Sequence, residues 1–191
     1  QTGRTRNLDG DVGGVAAVDI GAYEFVPPEL VFTVNSFADT IDVNLADLLA
    51  LDINNNTTLR AAIQESNARP GAERIDLPAG TFSLTQVGFN EDASYTGDLD
   101  ITGTVRIVGA GRDQTIIDAG DLDRVFHILS SANVILSNLT IQNGFMASGG
   151  GILVEGSLTL DNVIVADNVA NNLSNSVIRS EQHTSELLSH S

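Results

Sequence analysis

The chain has 191 residues, 42% of them hydrophobic and 18% charged, so a sizeable core is within reach and global disorder is excluded. Acidic residues outnumber basic ones 25 to 9, and the formal net charge of −16 repels phosphate backbones and anionic lipid, which argues against nucleic acid and toward cations. Cysteine is absent, which excludes disulfides, thiolate zinc sites and thiol nucleophiles.

Aromatics make up only 5% and there is no Trp, so the apolar content is Val, Ile, Leu and Ala, the filling of a narrow aliphatic core. No apolar run approaches the ~20 residues of a membrane span. The chain opens on Gln1, which suggests a missing native start. "DGDVGG" (9–14) hints at a calcium loop, but Gly13 takes the third ligand position and Ile20 stands where a bidentate Glu belongs. "VDIGAYEF" (18–25) reads as the end of one unit, "VPPEL" (26–30) as a stiff proline joint, and a second unit starts near Val31.

"TLRAAIQESN" (58–67) is the one helical pattern, with Leu59, Ala62 and Ile63 on one face. Thr57 or Thr58 serves as N-cap, and "ARPG" (68–71) stops the helix. Such a helix ahead of a solenoid has a physical reason to exist, since it can cover the open end of the core.

Beyond it come short, alternating, β-branched runs separated by Gly and Asn. They are "RIDL" (74–77), "FSL" (82–84), "DLDIT" (98–102), "VRIV" (105–108), "TIID" (115–118) and "VFHIL" (125–129). "VILSNLTIQNG" from Val134 and "LTLDNVIVADN" from Leu158 repeat at an offset of 24, which matches Leu136 with Leu160, Asn138 with Asn162, Leu139 with Val163 and Ile141 with Val165. "LDNVIVADN" also fits a leucine-rich repeat through Leu160, Val163, Val165 and Asn168. The return stretch 142–157 has three consecutive glycines, a further short strand and no helical period, which favours a right-handed parallel β-helix. The fold class expected is therefore all-β, a right-handed parallel β-helix (solenoid) with a short N-terminal capping helix.

"FTVNSFADTIDVN…TLRAAIQESNA" resembles the C-S-L-R-E-A module that precedes β-helix domains in large bacterial surface proteins. "IDLPAGTFSLT", "ITGTVRIVGAGRDQTIIDAG" and the 24-residue repeat continue the resemblance over about 31–170. The signature's Cys, Ser and Glu are Thr57, Thr58 and Ala61 here, so a disulfide at that place is lost. "RTRNLDGDVGGVAAVDIGAYEF" (4–25) resembles the closing motif of the choice-of-anchor Q type of β-helix domain. "RSEQHTSELLSHS" (179–191) resembles a translated sequencing adapter and is set aside as non-native. The expected organisation is an upstream remnant (1–26), a linker (27–30), a capping module (31–72), β-helix coils (73–170) and a truncated end (171–191).

The resemblance implies an extracellular or cell-surface protein, non-enzymatic, in contact with polysaccharide or another surface protein. The alternative is a carbohydrate-active β-helix enzyme such as a calcium-assisted lyase. "GDLD" at 97–100 and 120–123 makes Asp98, Asp100, Asp118, Asp121 and Asp123 the candidate calcium ligands. Asp is also the ordinary residue of Gly-rich turns, so isolated turn residues are the plainer reading. His127, between Phe126 and Ile128, is expected to point outward into solvent. The glycines at 109, 111 and 149–151 form no phosphate loop, since no Lys follows. No catalytic residue and no nucleotide or other organic cofactor is expected.

Overall fold

The computed structural model describes residues 29–171 apart from Pro70 and Asn90. The expected remnant 1–26, Pro27 and Pro28 of the joint, and the tail from 172 onward lie outside the described residues. The described chain is mostly β, with one helix.

In chain order the elements are β1 (Leu30–Thr33), α1 (Leu59–Asn67), β2 (Ala72–Asp76), β3 (Gly80–Ser83), β4 (Leu99–Ile101), β5 (Thr104–Val108) and β6 (Thr115–Asp118). They continue as β7 (Phe126–Ile128), β8 (Asn133–Gln142), β9 (Phe145–Met146), β10 (Ile152–Val154), β11 (Ser157–Ala166) and β12 (Val169–Ala170). Every pairing among these strands is parallel. Parallel neighbours need a long crossover between them. Here other strands supply it, so the chain visits several sheet faces before returning beside itself.

Strands β1, β2, β5, β8 and β11 stack on one face. Asn138 (φ 57°) bends β8, so its first half pairs with β5 and its second half with β6, and one sheet curls around the corner. A separate sheet holds β4, β7 and β10. The stretch 142–157 carries β9 and β10 and no helix, which sets aside the leucine-rich-repeat alternative. The coils are unequal. Ala72 pairs with Thr104 at an offset of 32, Thr104 with Asn133 at 29, and Asn133 with Ser157 at 24.

Alternation turns one side of each strand inward, and parallel register aligns equivalent residues into columns. Ile75, Ile107, Leu136 and Leu160 make one; Phe82, Ile117, Ile141 and Val165 make another; Leu99, Phe126 and Ile152 make a third. All members but those of the final coil are buried, and Leu160, Val163 and Val165 are partly so. Each buried aliphatic side chain contributes about 1.5–3 kcal/mol, so these columns dominate stability.

Helix α1 adds Leu59, Ala62 and Ile63 to the same core, packing against β2 and β4. Thr58 caps it, accepting from Ala61 N at 3.1 Å, while Thr57 N donates to Asn35 Oδ1. The helix is not amphipathic in situ, however: every residue from Leu59 to Ser66 is buried. Its polar face is covered because the preceding loop folds over it. Ala46 (φ 66°) and Leu48 (φ 75°) adopt left-handed backbone and donate their N–H groups to the Glu65 carboxylate at 2.5 and 2.6 Å.

Arg60 ties α1 to the 84–98 excursion between β3 and β4. Its guanidinium donates to Asp39 Oδ1 (2.6 Å) and Oδ2 (3.2 Å), and to the carbonyls of Ser94 (3.1 Å), Gly97 (2.8 Å) and Asp98 (3.2 Å). Asp39 also accepts from the N–H groups of Thr85 and Gln86. The charge that opposes the helix macrodipole is thus neutralised by a carboxylate, and five carbonyl or carboxylate acceptors meet its five donors.

Candidate functional site

The site is built where the 84–98 excursion closes over the outer face of the β4–β7–β10 sheet. Leu99 and Ile101 of β4 and Phe126 and Ile128 of β7 are buried in the core. Alternation therefore sends Asp100 and His127 to the opposite face, where register sets them side by side. Ser94 (φ 57°) holds the excursion down. Its N–H donates to Asp100 Oδ2 (3.1 Å), its hydroxyl donates to the Asp100 carbonyl (2.9 Å), and it accepts from Asp100 N (2.6 Å). Asp100 is completely buried as a result.

His127 is not the solvent-facing residue expected from alternation alone. Its side chain is 12% exposed, because acidic groups surround the outward ring. Nδ1 stands 3.3 Å from Asp100 Oδ1 and 3.6 Å from Asp92 Oδ1, and Nε2 stands 3.8 Å from Glu155 Oε1. Asp100 Oδ1 and His127 Nε2 are buried with no hydrogen-bond partner. Asp92 lies on the excursion and Glu155 follows β10, so three coils and a loop contribute.

A second acidic group adjoins the first. Arg124 Nε lies 3.2 Å from Asp98 Oδ2 and 3.9 Å from Asp123 Oδ1. Burial, and then the neighbouring Asp123 charge, push the Asp98 carboxyl up to about 7, although Arg124 pulls the other way. Burial, then Asp98, raise Asp100 to about 8 against the opposing hydrogen bond from Ser94. Both carboxyls are therefore able to hold a proton near neutral pH.

Of the five aspartates proposed from the sequence, Asp98, Asp100 and Asp123 sit in this region. Asp118 does not: it accepts from Gln142 Nε2 (2.8 Å), Asn143 Nδ2 (2.9 Å) and Gly120 N (2.9 Å) at a different corner. Burial alone would raise its pKa, but those hydrogen bonds outweigh it and hold the carboxyl below its ordinary value. Asp121 is an exposed turn residue with φ 59°. The five therefore do not form a single oxygen cage of the kind calcium needs. Asp98, Asp100 and Asp123 are buried and not in solvated turns, so the turn-residue reading applies to Asp121 and to Asp118, which accepts from Gly120 N two residues on. Asp92 and His127 were not among the ligand candidates. The signal was present in the chain: setting "LDI" (99–101) on "FHI" (126–128) puts Asp100 against His127.

The positions Leu136 and Leu160 pair in register, and Asn162 Nδ2 donates to Asn138 Oδ1 at 2.7 Å. Both Asn residues are left-handed, with φ of 57° and 54°. At the next corner Asn168 ties adjacent turns through backbone groups, accepting from Gly144 N and donating to the carbonyls of Ile141 and Ala166.

A cavity of about 250 Å³ lies beside the acidic group, lined by Leu45, Gln64, Asn67, Asp92, Ala93 and Tyr95 among others. Only Asp92 belongs to both; Asp98 and Asp100 do not line it. The fold is thus a curled parallel β stack with a covered acid–histidine cluster at one corner. Protein-family models, curated proteins and solved structures were compared with the chain, and none matched.

Proposed function

We propose that this chain is a right-handed parallel β-helix, capped by a module of the C-S-L-R-E-A type, that serves as a non-enzymatic scaffold in an extracellular surface protein. It displays a repetitive polar face to polysaccharide or to another surface protein. The observation that carries this reading is the continuous stack, with aligned aliphatic columns inside, the Asn138–Asn162 pair and Asn168 bonding from turn to turn at the corners, and the charged cluster covered instead of lining a groove. The right hand is supported by the general preference of parallel β crossovers, about 98% of which are right-handed. The cap is supported by α1, which joins the core at the β1–β2 end of the stack.

The test has two arms. Immobilised full-length chain is challenged with acidic polysaccharides, with and without calcium. Retention only where calcium bridges the two anionic partners, without any ultraviolet-absorbing unsaturated product, is the expected result. Steady formation of such a product would overturn the scaffold reading.

That outcome would promote the second reading, a carbohydrate-active enzyme. One observation favours it: Asp98 and Asp100 have raised pKa values and stand beside Arg124 and His127, a set able to donate and accept protons. Against it stands their burial beneath the excursion, which leaves no path for a sugar ring to reach them in this conformation.

A further inference from the structure

We propose that Asp92, Asp100 and His127 bind a divalent transition cation of the zinc or cobalt type, and that this ion pins the 84–98 excursion to the sheet beneath it. The three donor atoms lie within 4.8 Å of one another. Two ligands about 2.1 Å from a tetrahedral ion stand about 3.4 Å apart. The separations from His127 Nδ1, 3.3 Å to Asp100 Oδ1 and 3.6 Å to Asp92 Oδ1, bracket that value.

The independent sign is the state of Asp100. Its side chain has no solvent exposure, and Oδ1 has no hydrogen-bond partner although His127 Nδ1 is 3.3 Å away. A buried carboxylate oxygen left without a partner is costly. A cation at the shared focus would satisfy it. The other ring nitrogen lies 3.8 Å from Glu155 Oε1, beyond hydrogen-bond reach, so Glu155 would have to move closer to orient a metal-bound imidazole from behind. An imidazole among the ligands selects zinc, cobalt or nickel over calcium, which takes six to eight oxygens. This differs from the all-aspartate calcium set expected from the sequence. The role is structural. Asp92 comes from the excursion, Asp100 from β4 and His127 from β7, so one ion would bridge a loop and two coils.

The experiment uses the full chain after treatment with a chelator. Zinc or cobalt is titrated, with melting temperature and the visible absorption of tetrahedral cobalt as readouts. At a hundredfold excess over Kd, the melting temperature should rise by about 5–10 °C. Two variants, Asp92→Asn and His127→Gln, should abolish both the rise and the cobalt band. Asp92 is 67% exposed, so Asn there leaves the fold intact and makes the loss of binding interpretable. The His127 variant separates this site from His183 and His190 elsewhere in the chain. Absence of a response to zinc and cobalt overturns the proposal. So does a response to calcium alone, or a zinc response that survives in both variants.

Discussion

Arg60 donates all five of its N–H groups inside the protein and is 1% exposed. Replacing it with Ala would leave Asp39 and three carbonyls facing an empty space. The expected loss is about 3–5 kcal/mol, read as a lower urea midpoint. Arg60→Lys should recover only a fraction of it, since an ammonium has three donors and no planar fork. A loss below about 1 kcal/mol for the Ala variant would show that the network is dispensable. The buried carboxyls give a second test at this scale. Asp98 and Asp100 have folded pKa values raised from 3.8 to about 7 and 8, so the folded state binds more protons than the unfolded one between those limits. Stability is therefore fully present below pH 3.8 for these groups and declines as pH rises through 7–8. Burial sets this first, followed by Asp123, Arg124 and Glu91 around Asp98, and by Asp98, Ser94, Glu91 and Asp92 around Asp100; His127 faces Asp100 at 3.3 Å. The lowered carboxyls of Asp52 and Asp118 act below pH 3.8 and do not mask it. In chelator, melting temperature should fall from about pH 5 to about pH 8.5, by the equivalent of a few kcal/mol. Asp100→Asn, which can still accept from Ser94 N, should flatten that slope; an unchanged slope would remove Asp100 as its source.

At the scale of elements, the corners decide where strands bend. Asn138 and Asn162 take left-handed backbone that most side chains resist, and the second amide donates to the first. Asn162→Ala loses both features and should cost about 1–2 kcal/mol in thermal or urea unfolding. Asn162→Gly keeps the backbone conformation and should cost less. If the two variants are equal, the left-handed backbone contributes nothing and the whole loss belongs to the amide bond. The ladder stops at Gly109, whose amide donates to Ser137 O in the coil below. A Cβ at Gly109 would lie 2.1 Å from Asn138 O, so close stacking forbids any side chain. These elements were legible in the sequence because stacking forces equivalent residues to repeat. Val134 and Leu158 announce the register of β8 on β11 through their shared offset of 24. Arg60 carries a signal in the sequence too: a cation in a first helical turn opposes the macrodipole and calls for an acidic partner, here Asp39 of the preceding loop. The buried cluster was not legible in the same way. Asp100 and His127 stand 27 positions apart, outside the 24-residue period, and Asp92 joins them from an excursion with no repeat at all. Nor does alternation reveal that a loop returns to cover an outward face, which is why His127 and the polar side of α1 read as solvated.

For the whole molecule, the parallel stack was legible from short runs and Gly–Asn bends, whereas its uneven pitch along the chain was not. Insertions such as 84–98 break the period without disturbing the columns, because only the inward residues must align. Each coil packs chiefly on its neighbours, which makes stability nearly one-dimensional. The coils lengthen in sequence from 24 residues at the β11 end to 29 and 32 toward the helix, and α1 is fastened by Arg60 while β11 closes on no further described strand. Mechanical load would therefore peel the chain like tape from the weaker edge. Held by its ends in an optical trap, it should yield in successive rips, and each rip should report the length of the coil just released. At about 3.4 Å per extended residue, these are about 80, 100 and 110 Å in that order. Equal rips, or a single rip of the full length, would mean that the coils do not separate in sequence. Rips in ascending order would make the unequal coils a graded tether, releasing more length at each yield as the pull approaches the anchored helix.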